Sequence, residues 1–151
     1  MATSSGRSLV TTTPETRPVL KTAVEAAVAA LREVYGEDQV HLVPDGQGGA
    51  WVEICAVELG DTYVQETTFV IFLLPFNLPG ADIYPVFVRH DLARHDGAAL
   101  GEGLQCTTLS WPGHPPQRPV VQISRRTRNG AFASQTAVQK IEKVMEWLRN
   151  K

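Results

Sequence analysis

The sequence predicts an α+β fold: a helix near each end of the chain, a four-stranded antiparallel β-meander between them, and a long irregular segment before the second helix. Three observations predict it. Apolar residues recur at three- and four-residue steps in two places only, Val19 to Tyr35 and Val138 to Leu148. Between those stretches the pattern changes to β-branched and aromatic runs, separated by clusters of Pro, Gly and Asp. The connections between consecutive runs are short, and a parallel pair would need a crossover of about a dozen residues, so the strands run antiparallel.

Taken in order, residues 1–15 are rich in Ser and Thr without periodicity, and the expectation is a mobile tail. Residues 16–151 then form a single domain, long enough for one real core. Pro18 suits a first helical turn, where a missing N–H costs nothing. From there Val19, Leu20, Ala23, Val24, Ala27, Leu31, Val34 and Tyr35 make one apolar stripe, stopped by Gly36. A first short strand spans Val40 to Leu42 and breaks at the turn signal Pro44 to Gly49. His41 within it reads as an exposed strand residue. The second strand runs from Trp51 to Leu59, Gly60-Asp61 reverses the chain, and the third strand runs from Thr62 to Leu74. Pro75 to Gly80 is a loop and Val86 to Arg89 the fourth strand. Pro112 to Pro116 cannot be regular structure. Pro119 to Ser124 is β-like, either an extra strand or an extended cover over the loop. The final helix begins at about Ser134, with Val138, Ile141, Val144, Met145 and Leu148 inward and Trp147 at the rim.

Composition excludes several classes. The 151 residues are 43% hydrophobic and 20% charged, with a formal net charge of −2. A nucleic-acid footprint needs a dominant basic face, and the only basic run is the short Arg125, Arg126, Arg128. No apolar run approaches the roughly eighteen residues that span a membrane, and the N-terminus lacks the apolar core of a secretory signal. Two cysteines are no disulfide framework, so both are expected as reduced thiols in a cytoplasm. Without CxxC or HxxxH no metal site is expected, and no cofactor is called for.

The chemistry-bearing residues gather between Asp82 and Trp111. Cys106 stands at the end of a polar, Gly-studded loop carrying His90, Asp91, His95 and Asp96. It is either a nucleophile or a small apolar filler. Cys55, in mid-strand between Ile54 and Ala56, reads as core or half-core filler, because apolar surroundings make a thiol inert. The four polar loop residues either cap turns or serve the thiol. Trp111 suits a core anchor as well as a functional role.

Leu74-Pro75 closing the third strand, Tyr84-Pro85 entering the fourth, Cys106 beyond a loop, then Trp111 and Pro112 occur in an order that resembles the ubiquitin-conjugating enzyme superfamily. The resemblance covers roughly residues 18 to 150. It is closest to divergent bacterial members, which accompany a ubiquitin-like protein, an activating enzyme and a metalloprotease in defence against phage. The family's His-Pro-Asn before the cysteine is absent: Arg94-His95-Asp96-Gly97 stands in that region.

The resemblance implies acyl transfer through a thioester on Cys106, from an activating enzyme to an amine on a target protein. Oxyanion stabilisation would fall to the backbone of Thr107 and Thr108 or the side chains of His95 and Gln105, and handling of the amine proton to His95 or Asp96. Phe76, in an apolar loop, is the candidate ligase contact. Lys21, with Glu25 and Arg32 on the first helix, is the candidate for the activating enzyme. The alternative is an inert member of the same fold that binds a ubiquitin-like protein or its machinery. A Cys-His-Asp protease triad fits poorly, since such triads assemble from distant elements.

Overall fold

The computed structural model describes residues 19–110 and 117–151. Helices α1 (Thr22–Tyr35) and α2 (Ala137–Arg149) pack on one face of a six-stranded antiparallel sheet. Its strands are β1 (Val40–Pro44), β2 (Ala50–Glu58), β3 (Thr67–Leu74), β4 (Val86–Arg89), β5 (Leu104–Leu109) and β6 (Arg118–Ile123). They stand in the order β1-β2-β3-β4-β6-β5, so β6 lies inside and β5 forms an edge.

The α+β class is as expected, but the sheet is larger than four strands. The long segment from Asp82 to Trp111 is only partly irregular. Gly97, Gly101 and Gly103 all have positive φ, and their turns belong to the approach. The β-branched and apolar residues after them pair with β6, Leu104 against Ile123 through Leu109 against Arg118. The third strand starts later than expected. Thr62 to Glu66 form a turn, in which Tyr63 bridges Arg94 and buries its ring in the core. Its hydroxyl donates to the carbonyl of Leu148 at 3.0 Å.

α1 buries Val24, Val28 and Leu31 and ends at Gly36, whose φ of 105° suits a residue without Cβ. α2 starts with a capping box: the Gln139 N–H donates to the Thr136 hydroxyl oxygen, and the Thr136 N–H donates to the Gln139 side chain. Its inward stripe is Ile141, Val144, Met145 and Leu148, with Trp147 half-buried.

The strand residues beneath the helices follow the register: Val40, Ile54, Val70, Val88, Val121 and Cys106 lie in one row across the sheet. Directly paired residues share a face, so this row faces the helices. The opposite face holds a second buried cluster of Ile71, Phe87, Leu109 and Val120, flanked by Val43, Trp51 and Phe69. Arg118 lies over the Phe69 ring at 4.0 Å and pairs with Glu53 at 3.1 Å. Between Ile54 and Val57 a bulge shifts the β2–β3 register. No helix among the described residues is long and apolar enough to cross a membrane.

Residues 1–18 and 111–116 lie outside the described residues, so the expectations for the N-terminal tail, Pro18, Trp111 and the run from Pro112 to Pro116 concern positions beyond them.

Candidate functional site

Cys106 is a free, exposed thiol, and it sits within β5 rather than at the end of a loop. Position within a strand dictates its neighbours. Successive side chains alternate between faces, so Cys106 and Thr108 share the helix side while Gln105, Thr107 and Leu109 take the other. The register agrees, since Gln105 pairs with Gln122, and Thr107 with the Val120 of the opposite cluster. The side chains of Gln105 and Thr107 therefore do not converge with the sulfur, contrary to the expected arrangement. What remains beside it is backbone. An edge strand presents unpaired N–H and C=O groups along its free side.

The approach to β5 is fixed by α2. The ring of Trp147 packs over Gly103, where an added Cβ would lie 3.0 Å from it at a φ of 85°. The Ser124 N–H donates to the carbonyl of Gly103 at 2.9 Å. Arg125 and Lys151 flank the same Trp147 ring at 4.8 and 5.1 Å.

His95 and Asp96 are held by other groups. The His95 N–H donates to the carbonyl of Thr62 at 3.0 Å, and the Thr62 hydroxyl donates to the carbonyl of Arg149 at the end of α2. Asp96 accepts two hydrogen bonds from Arg94, at 3.0 Å each, and one from the Ala98 N–H at 2.9 Å. The Arg94 guanidinium above all, and then the Ala98 N–H, hold its carboxyl down to about 2. A carboxylate so stabilised is a poor proton acceptor near neutrality. Asp96 is a loop-ordering residue, and among the described residues no hydrogen bond joins it or His95 to Cys106.

The structure corrects the reading of Cys55. Alternation from the buried Ile54 puts Cys55 on the sheet face opposite the helices, where it is exposed, and the bulge leaves Ala56 exposed beside it. With Thr67, Thr68, Phe69, Arg89, His90 and Asp91 it lines a cavity of about 280 Å³. His90 and Asp91 thus accompany Cys55 and not Cys106. Asp91 is engaged by Arg89 through both oxygens, at 2.6 and 2.8 Å. Loss of water against the cavity wall, then the Glu53 carboxylate, push the Cys55 thiol up, with Arg118 opposing. A raised thiol pKa lowers the thiolate fraction at neutral pH, and thiolate is the reactive form. Cys106 should therefore be alkylated several times faster than Cys55 at pH 7.5, with Cys55 catching up as pH rises. Peptide mass spectrometry after limited iodoacetamide treatment measures this, and equal rates would contradict it.

Phe76 is 47% exposed on the loop after β3, where the Leu78 N–H donates to the carbonyl of Pro75 and the Gly80 N–H to that of Asn77. Lys21 precedes α1, donates its N–H to the carbonyl of Gly48 at 2.9 Å, and lays its stem against that glycine. Glu25 and Arg32 line a cavity of about 500 Å³ along α1. Phe76, the α1 residues and Cys106 belong to separate elements and form no single cluster. No His/Cys/Asp/Glu group among the described residues has the arrangement of a metal site. Compared with known proteins, the chain matches no family model, no curated protein and no solved structure.

Proposed function

We propose that the protein is a conjugating enzyme for a ubiquitin-like protein, carrying that protein's C-terminus as a thioester on Cys106. The observation that carries this reading is the exposed thiol within an edge strand. An extended polypeptide tail can hydrogen-bond along such an edge as an added strand, which would bring its terminal carbonyl alongside the sulfur. The chemistry then runs in two transfers. Sγ of Cys106 bonds to the carbonyl carbon while the bond to the activating enzyme's thiol breaks, and that thiol leaves with the displaced proton. An amine nitrogen of the target protein next attacks the same carbon. The C–S bond breaks, an amide forms, and the amine's proton goes to the departing thiolate. Edge-strand N–H groups supply the oxyanion contacts that no side chain does. The resemblance to bacterial conjugation systems supports a role in defence against phage.

A second reading, a binding module of the same fold without the reaction, is favoured by one observation. Asp96 is held by Arg94, and among the described residues neither it nor His95 hydrogen-bonds to Cys106. One experiment separates the two. With its cognate activating enzyme, the ubiquitin-like protein and ATP, the wild-type chain is expected to show a reductant-sensitive adduct on a non-reducing gel. The adduct should vanish in Cys106→Ala and persist in Cys55→Ala. A wild-type chain that binds the ubiquitin-like protein but never forms the adduct leaves the binding module.

A further inference from the structure

The chain's net charge is slightly negative, yet one cavity is lined by five cationic side chains. Arg125, Arg126 and Arg128 follow β6, and Lys140 and Lys143 come from α2, around a space of about 330 Å³ with no carboxylate in its lining. The short basic run of the sequence becomes a cluster only because α2 brings two lysines to it. Lys140 is 4% exposed and is already neutralised. Its ammonium meets Asp82 at 3.2 Å and donates to the carbonyl of Arg125 at 2.9 Å and the hydroxyl of Thr127 at 3.0 Å. Arg125, Arg126, Arg128 and Lys143 are different. Among the described residues none of them has a carboxylate within 4.0 Å.

The backbone from Arg125 to Thr127 is pinned. Asp82 accepts the Thr127 N–H at 2.8 Å and its hydroxyl at 3.1 Å, while Lys140 holds the carbonyl of Arg125. Two of the guanidiniums lie over aromatic rings: Arg126 over Tyr84 at 3.8 Å, Arg125 over Trp147 at 4.8 Å. A guanidinium resting over a ring is partly ordered in advance and loses less freedom when its N–H groups bind an anion. Four like charges gathered on a fixed frame repel one another unless an anion joins them.

We propose that this cavity binds a compact phosphate-bearing ligand. The volume is that of a small-molecule site rather than a peptide groove, and guanidinium forks match phosphate oxygens two at a time. The site is independent of the thiol: Cys106→Ala should bind equally well.

The test is calorimetric titration of the full chain with inorganic pyrophosphate at fixed ionic strength, beside citrate and a Glu-rich peptide. Saturable one-to-one binding of pyrophosphate is expected, stronger than citrate, and weakening as salt is added. Arg126→Gln and Lys143→Gln should each weaken it about tenfold. Arg32→Gln removes a positive charge elsewhere and should leave it unchanged. Lys143 is exposed, so its variant carries the test if Arg126→Gln does not fold. Absence of saturation, equal affinity for citrate, or the same loss in Arg32→Gln would overturn the proposal. Tighter binding of the Glu-rich peptide would also overturn it, and would make the cavity a docking point for an acidic protein segment.

Discussion

Asp82→Ala should lower the free energy of unfolding by about 3–5 kcal/mol, the usual cost of leaving a buried charge without its partner. The Lys140 side chain is 5% exposed and that of Asp82 11%, so the pair is largely shielded from water. Lys140 would retain only neutral acceptors, the carbonyl of Arg125 and the hydroxyl of Thr127. Thr127 would lose the acceptor of its N–H as well. Replacing both charges, Asp82→Ala with Lys140→Met, should recover most of the loss, because the penalty belongs to the unpaired ion. Urea unfolding of the two variants measures it. Equal losses in the single and double variants would mean that hydrogen bonds to Thr127, and not the charge pair, hold this corner.

Phe72→Ala is expected to cost about 3–5 kcal/mol through lost burial and the cavity left behind. Phe72 is fully buried in β3, between Val52 of β2 and Val86 of β4, on the face beneath the helices. At roughly 2–4 °C per kcal/mol for a chain of this size, the melting temperature should fall by about 10 °C. Phe76→Ala, four residues on, should stay within about 0.5 kcal/mol, since its ring is half in water. That difference lets a binding defect in Phe76→Ala be assigned to its surface and not to unfolding. Comparable losses at the two positions would show that the loop after β3 packs against the core.

The contrast between these two phenylalanines was partly legible in the sequence, where Phe72 lies inside a β-branched run and Phe76 between two prolines. Val86 to Arg89 and the inward stripes of both helices were legible for the same reason: periodicity reports which side faces the core. Where the structure departs, the determinant lies elsewhere in the chain. β5 is a strand because β6 supplies its ladder, and β6 follows at Arg118. The turn at Thr62 exists because Tyr63 finds Arg94 and Leu148, which no local pattern announces. Cys55 reads as filler because Ile54 and Ala56 beside it are apolar, whereas alternation from the buried Ile54 sends it to the opposite face and the bulge alters the pattern only from Ala56 on. The candidate site was legible only as a residue. Sequence order singled out Cys106, while its strand setting and the separation of His95 and Asp96 are properties of the fold.

The two sulfurs point away from opposite sides of the sheet, one at the outermost strand and the other at the bulge. Neither can reach the other within one molecule without unmaking the sheet between them. Air oxidation would therefore link separate molecules, and because each offers two divergent attachment points, the products would grow as open chains instead of closing as pairs. A reductant belongs in every solution of this protein, and removing Cys55 would cap that growth at a dimer.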